Sequence, residues 1–517
     1  MSLVDLPIIA TKGKRKTWYN LSVEGRAALS SPTQTRTPDE IHEQLQREAR
    51  ASGRILSDQA FSRAAGAPLL PGNRVTLLRD ATENYPAWLE AIRTAKRTIH
   101  FESYIVHGDE VGWEFCEALA AKVREGVRVR LIYDWMGALG HLYRDFWQAM
   151  KNSGVEVRCF NPPRLDSPLG WLRRDHRKML SVDGRVGFVT GLCLGRQWVG
   201  DPERGIPPWR DTGVQIQGPA VADLERAFAQ MWGLLGTPVP EEDLVSQIPV
   251  EPEGDVALRI VASYPNTGSL YRFDQLIGAL ARKTIWLTDA YFLGTAPYIQ
   301  ALRAAALDGV DVRLLLPRTS DIPILRTLSR SGYRTLLEAG VRLFEWDGPM
   351  LHAKTAVADG RWARVGSTNL NIASWLGNWE LDVVIEDEGF GRRMEEMYLE
   401  DLRHSTEVVL TEKQKVHRNT QTVEPPRHLK RAEGSAGHAV AGLLRVGNTV
   451  GAAITSRRAL GPTEVGGMFV AALLLLGIAF AGAVWPRAIA IPIIVFAVWV
   501  ALALLIRVYR LYGKRDQ

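Results

Sequence analysis

Residues 175–184 read Asp-His-Arg-Lys-Met-Leu-Ser-Val-Asp-Gly, and residues 351–360 read Leu-His-Ala-Lys-Thr-Ala-Val-Ala-Asp-Gly. Both spell His-x-Lys-x4-Asp-Gly, with His176 and His352 at the head of each copy. In an extended chain alternate side chains share a face. The histidine and lysine of each copy are therefore expected to point the same way, with their neighbours packed into a sheet. A single His-x-Lys says little, because a lone strand histidine is usually structural. Two copies at the same point of a repeated pattern say much more.

The repeat extends outward from these motifs. Residues 97–106 (RTIHFESYIV) alternate as a strand, 111–124 have helical period and 126–133 (GVRVRLIY) form a second strand. A helix over 142–152 and a strand over 155–160 follow. The order then recurs at 283–292 (KTIWLTDAYF), 309–316 (GVDVRLLL) and 340–345 (GVRLFE). The offset of about 180 residues is that of a duplicated domain rather than a solenoid unit. Strands alternating with helices predict an α/β fold. The expected organisation is an N-terminal extension (1–70), a first domain (71–240), a Pro- and Glu-rich linker (241–255) and a second domain (256–405). A further linker (406–462) includes a small-residue amphipathic stretch, either an interfacial helix or an ordinary packing helix. Residues 463–517 form the C-terminal segment.

Of the 517 residues, 63 are Lys or Arg and 57 Asp or Glu, a net charge of +6. With 46% hydrophobic and 23% charged residues, disordered, collagen-like and mucin-like classes are excluded. Cys116, Cys159 and Cys193 form no Cys-x-x-Cys, which argues against a disulfide scaffold, a structural zinc site or a thiol redox motif. Two uncharged runs, 465–485 and 488–506, are separated by Pro486-Arg487. As helices each is roughly 30 Å long, the thickness of a bilayer core. They predict a two-helix transmembrane hairpin. Its flanks carry Arg445, Arg457, Arg458, Arg507, Arg510, Lys514 and Arg515, its turn only Arg487. The positive-inside rule then predicts a multi-pass protein of the cytoplasmic (inner) membrane with its catalytic domains in the cytoplasm.

Two imidazoles and two ammonium groups in one cleft suit phosphate chemistry. A neutral imidazole can attack phosphorus, and a second can protonate the leaving oxygen. Lys178 and Lys354 can neutralise the non-bridging oxygens, so no metal and no cofactor are expected. Asp183 and Asp359 complete the motif as candidate catalytic groups, although Asp-Gly after an apolar run reads more readily as a turn. Ser367 and Asn369 could hydrogen-bond phosphate oxygens. Asp211 and Glu380, each roughly 30 residues beyond a histidine, could fix its tautomer or be ordinary loop carboxylates.

Further motifs are PGN (71–73), LIYDWMG (131–137), FNP (160–162), DHRK (175–178) and WRDTGVQIQGPAV (209–221), then MLHAKT (350–355), VGSTNLN (365–371) and NWELD (378–382). In this order the chain, from about 71 to 403, resembles the phospholipase D superfamily and, within it, the bacterial cardiolipin synthases. The resemblance implies duplicated α/β/α sandwich domains with the active site at their interface, and metal-independent transfer of a phosphatidyl group. It implies His176 as nucleophile and His352 as general acid and base. Lys178, Lys354, Ser367 and Asn369 would hold the phosphate, and Asp211 and Glu380 would orient the histidines. Cys193 stands where the family usually has Asn, and Thr190-Gly191 where it has Gly-Gly. The implied partners are an anionic phospholipid (phosphatidylglycerol or CDP-diacylglycerol) and the membrane bilayer, with no nucleic acid. Hydrolysis of phospholipid phosphodiesters is the alternative, with nucleic-acid phosphodiester cleavage behind it.

Overall fold

Apolar segments rich in Val, Ile and Leu, bounded by glycine turns, form the strands of both repeats. The computed structural model describes residues 58–139, 144–163, 173–244, 251–410 and 416–418, scattered positions between 473 and 484, and 486–513. Residues 1–57 of the expected extension and the amphipathic stretch within 406–462 lie outside the described residues. The first repeat contributes β1 (Leu70–Arg79), β2 (Thr98–Ser103), β3 (Arg128–Asp134), β4 (Glu156–Phe160), β5 (Lys178–Val182), β6 (Val186–Thr190) and β7 (Thr212–Gln217). The second contributes β8 (Val256–Ser263), β9 (Thr284–Thr288), β10 (Asp311–Pro317), β11 (Arg342–Trp346), β12 (Thr355–Ala358), β13 (Trp362–Gly366) and β14 (Glu380–Glu386), followed by β15 (Ser405–Leu410) and β16 (Val416–Arg418).

These strands form one sheet in the order β16-β15-β11-β10-β9-β12-β13-β14-β8-β1-β7-β6-β5-β2-β3-β4. Read outward from the centre, β8-β14-β13-β12-β9-β10-β11 mirrors β1-β7-β6-β5-β2-β3-β4. The duplication legible in the sequence is thus a duplication of topology. The halves join edge to edge where β1 and β8 pair antiparallel, Leu70 opposite Leu258 and Asn73 opposite Val256. In each half β2–β4 or β9–β11 run parallel, and helices fill the crossovers.

Both faces of the sheet are covered, as alternation along single strands shows. Ile99 and Phe101 of β2 join the core beneath α1 (Asp80–Thr94) and α2 (Glu110–Arg124). His100, between them, stacks on Phe228 of α3 (Val221–Leu234) at 4.7 Å on the opposite face. Apolar residues of α3 and of α5 (Glu388–Arg403) join one core with strands of both halves. The cluster around α4 (Ala296–Leu307) covers the outer face of the second half. Side-chain caps start two of these helices: Asp109 accepts from the Gly112 N–H at 3.1 Å, and Asp387 from the Phe390 N–H at 2.6 Å.

Asp183 and Asp359 serve the fold. Asp183-Gly184 and Asp359-Gly360 all have positive φ, between 52° and 62°, the backbone of a type I′ hairpin turn, here joining β5 to β6 and β12 to β13. The Asp183 carboxylate accepts from the N–H groups of Lys96, Arg97 and Thr98 at 2.7–2.9 Å. Asp359 does the same for Arg282, Lys283 and Thr284 at 2.8–3.0 Å. Each aspartate closes the entrance to an earlier strand paired with its own, β2 or β9, at the far end of β5 or β12 from the histidine and lysine. Their place among the candidate catalytic groups is corrected accordingly.

The C-terminal expectation is also corrected. Among the described residues, no helix is long and apolar enough to cross a membrane. This overturns the two-helix transmembrane hairpin and the multi-pass inner-membrane location read from it. The first run, 465–485, lies for the most part outside the described residues. The second enters a single helix, α6 (Pro486–Gly513), with Pro492 in its interior.

The two turns yield a test of the aspartates. Asp183→Ala leaves three backbone donors without their acceptor, at a cost of about 1–3 kcal/mol. The expected outcome is a lowered thermal midpoint with turnover preserved below it. Abolished turnover at an unchanged midpoint would return Asp183 to the chemistry.

Candidate active site

β5 begins at Lys178 and β12 at Thr355, so each His-x-Lys stands at the mouth of a strand rather than within it. There the backbone of one half runs beside that of the other. Asp175 bridges Trp379, and Arg210 bridges Leu351. The His176 N–H donates to the Trp379 carbonyl at 2.9 Å, and the His352 N–H to the Arg210 carbonyl at 2.7 Å. Trp379 and Arg210 immediately precede Glu380 and Asp211. Each histidine is therefore delivered to the carboxylate of the opposite half.

The side chains follow. His176 Nδ1 lies 2.9 Å from Glu380 Oε2, and His352 Nδ1 lies 2.7 Å from Asp211 Oδ2. Sequence spacing suggests that each carboxylate serves the histidine about 30 residues before it, but the pairs cross between halves. Nδ1 of each imidazole is thus engaged by a carboxylate of the other half. Both lysines fold back, Lys178 donating to the His176 carbonyl and Lys354 to the His352 carbonyl. A tyrosine stands edge-on to each imidazole, Tyr104 at 5.0 Å from His176 and Tyr291 at 5.9 Å from His352. Lys178 lies 5.2 Å from the ring centre of Tyr104 and Lys354 6.0 Å from that of Tyr291.

Burial governs the electrostatics. It pushes His176 well below the usual imidazole range, helped by the charges of Lys178, Lys354 and His352. Burial, then Lys354, lowers His352 to about 4, against the pull of Asp211. Burial lowers Lys354 to about 8. The carboxylates diverge. Burial raises Glu380 to about 7, although Lys178 and hydrogen bonds from Ser367, Ser374 and Asn378 oppose it. For Asp211 burial is outweighed by His352 and Lys354, and the group titrates below its ordinary value.

The expected phosphate ligands separate. The Ser367 hydroxyl donates to Glu380 Oε2 at 2.6 Å and accepts from the Leu381 N–H at 2.9 Å, so it is committed to the carboxylate. Asn369 is fully buried, and neither polar atom of its amide has a hydrogen-bond partner among the described residues. The corresponding position of the first half is Cys193. Burial pushes its thiol up, while Lys178 and Lys354 pull it down. Arg210 clamps the halves together. Its guanidinium meets Asp401 of α5 at 2.8 and 2.9 Å and Asp80 of α1 at 3.1 Å. Trp198 donates its indole N–H to Asp211 Oδ2 at 3.1 Å. Sequence reasoning passed over Tyr104, Tyr291 and Trp198. The tyrosines carry a faint signal, since both follow the first central strand of a repeat, whereas Trp198 carries none.

The family described as "Cardiolipin synthase, PLD-like domain" matches residues 88–232 and 276–402, one segment in each half. Cardiolipin synthase A of Pseudomonas fluorescens is 34% identical over 385 residues, spanning 72% of this chain and 78% of that protein. Cardiolipin synthase of Halalkalibacterium halodurans is 33% identical over 354 residues, spanning 67% and 69%. The crystal structure of phosphatidylserine synthase from Haemophilus influenzae matches with a TM-score of 0.53 at 16% identity, covering 68% of this chain and 91% of that one, a likeness of fold. The chain belongs to the cardiolipin synthase, PLD-like domain family of the phospholipase D superfamily, and is an enzyme of that family.

Proposed function

We propose that this enzyme moves a phosphatidyl group from one anionic phospholipid to a head-group hydroxyl of another through a phosphohistidine on His176. Two units, 71–240 and 256–405, close the site between them. Phosphatidylglycerol or CDP-diacylglycerol is the donor. The observation that carries this reading is the pair of buried imidazoles, each with Nδ1 on a carboxylate of the opposite half and both beside Lys178 and Lys354.

Nε2 of His176 attacks phosphorus, and the bond from phosphorus to the leaving oxygen breaks. His352 gives that oxygen a proton and so becomes the base for the second step. The acceptor hydroxyl passes its proton to His352 as its oxygen attacks phosphorus, and the P–N bond breaks to restore His176. Lys178, Lys354 and the unpartnered amide of Asn369 hold the non-bridging oxygens. The division of roles follows the two carboxylates. His352 faces Asp211, which stays ionised and can support an imidazolium. His176 is held neutral, as a nucleophile must be. The negative charge of a bound phosphodiester opposes the depression of His352 by the lysines and favours its protonated form.

Lipid mass spectrometry of the purified enzyme with phosphatidylglycerol micelles tests the reaction. Cardiolipin and glycerol are expected, and phosphatidic acid alone would make the enzyme a hydrolase. Labelled donor should be trapped on the peptide around His176 and be lost in His176→Ala. His352→Ala is expected to slow turnover by about 10²–10⁴-fold, and to be partly spared with CDP-diacylglycerol, whose leaving group departs as an anion. Label confined to the His352 peptide would reverse the roles.

A second test uses pH. Lys354 titrates at about 8, below the ordinary lysine value. It is protonated and able to neutralise phosphate below that pH, and loses its charge as pH rises through it. The value of kcat/KM, which reports the free enzyme, is expected to fall above about pH 8. In Lys354→Arg, whose guanidinium stays charged, the overall rate drops but this alkaline limb disappears. A limb unchanged in that variant would assign it to another group.

A further inference from the structure

The two half-sites solve one problem with different residues. Glu380 Oε2 faces His176 Nδ1 at 2.9 Å and accepts the Ser367 hydroxyl at 2.6 Å. Asp211 Oδ2 faces His352 Nδ1 at 2.7 Å, and its second donor is the Trp198 indole N–H at 3.1 Å. By the repeat, Gly191 occupies the position of Ser367, since β6 ends at Thr190 and β13 at Gly366. No side chain fits there, because a Cβ on Gly191 would stand 2.1 Å from Asp211 Oδ1. The donor comes instead from the short helix Arg196–Val199.

Trp198 is fully buried, and its ring is edge-on to His352 at 5.6 Å. Trp209 closes the same wall, 5.2 Å from Trp198 and 5.6 Å from His352. The Trp209 N–H donates to the Gln197 carbonyl at 3.0 Å, tying that helix to the segment that carries Asp211. An indole is a donor only, so it complements a carboxylate oxygen and offers nothing to compete for the imidazole proton.

We propose that Trp198 is a positioning residue, its indole N–H holding the Asp211 carboxylate on His352 Nδ1 as the Ser367 hydroxyl holds Glu380 on His176. The proposal rests on the reading of His352 as the general acid and base. The other titratable and charged groups around Asp211 are His352 and Lys354 from the second half, with Asp80, Arg210 and Cys193 from its own. None of them replaces the indole, because Arg210 bonds the Asp211 carbonyl and Asp80 accepts from the Asp211 N–H. Removal of the indole donor destabilises the ionised carboxylate, so Asp211 then protonates at a higher pH.

The test compares Trp198→Phe, Asp211→Asn and the double variant on phosphatidylglycerol micelles. Trp198→Phe is expected to lower kcat by about ten- to a hundredfold, the effect of one hydrogen bond to a charged group. KM is expected to stay within about twofold, and the acid limb of the pH profile to move upward. The double variant is expected to be no slower than Asp211→Asn, because the indole acts only through that carboxylate. A wild-type rate and acid limb in Trp198→Phe, or additive losses in the double variant, would overturn the proposal. A slow Asp211→Asn beside an unaffected Trp198→Phe removes the proposal alone, whereas Asp211→Asn at full rate brings down the His352–Asp211 reading and the proposal with it. If Trp198→Phe melts below the assay temperature, Trp198→Tyr takes its place. With its phenolic donor it is expected to keep the acid limb close to that of the unaltered enzyme, and a limb moved as far as in Asp211→Asn counts against the proposal.

Discussion

Two hydrogen bonds that cross between the halves, His176 to Glu380 and His352 to Asp211, are what the rest of the site depends on. They join residues 204 and 141 positions apart in the chain. Each crossing is prepared by backbone: the bridges Asp175–Trp379 and Arg210–Leu351 set the histidine of one half against the carboxylate of the other. Neither half by itself completes either of these two pairs. A carboxylate taken this far from water is tolerated only when paired and hydrogen-bonded, so the docked arrangement is also the one that satisfies the buried charges. The β1–β8 seam and the clamp of Arg210 on Asp401 and Asp80 hold the halves in that arrangement.

Duplication supplies two similar half-sites, but the double displacement proposed for them needs them to differ. The second half carries Ser367, Thr368 and Asn369 where the first carries Gly191, Leu192 and Cys193. One carboxylate is steadied by a hydroxyl, the other by an indole. Burial wins at Glu380, and neighbouring cations win at Asp211. The asymmetry therefore lies in the environment of the two imidazoles more than in the imidazoles themselves. It offers a physical basis for separating nucleophile from acid that the bare motif, identical in both copies, does not contain.

The strands, their repetition and the two His-x-Lys pairs were legible because each is a local pattern: period two in GVRVRLIY and GVDVRLLL, and an Asp-Gly of the kind that positive-φ hairpin turns favour. The roles of Asp183, Ser367 and the C-terminal runs were not legible in the same way. Asp183 looks like part of a catalytic motif, yet its carboxylate closes a strand entrance some 85 residues earlier. Ser367 looks like a phosphate ligand, yet its hydroxyl is spent on Glu380. The uncharged runs near the C-terminus satisfy a compositional test for a membrane span, yet no helix among the described residues is long and apolar enough to cross a membrane.

What the sequence by itself determined is the alternation of strand and helix, the duplication, and the two His-x-Lys pairs, because hydropathy period and residue chemistry act over a few neighbouring positions. What the tertiary structure decided is which carboxylate faces which histidine, that Trp198 rather than a serine supports Asp211, and how far each group is pushed from its ordinary protonation. Those depend on distances between segments remote in the chain and on burial beneath the assembled sheet. Neither quantity exists until the two halves have docked.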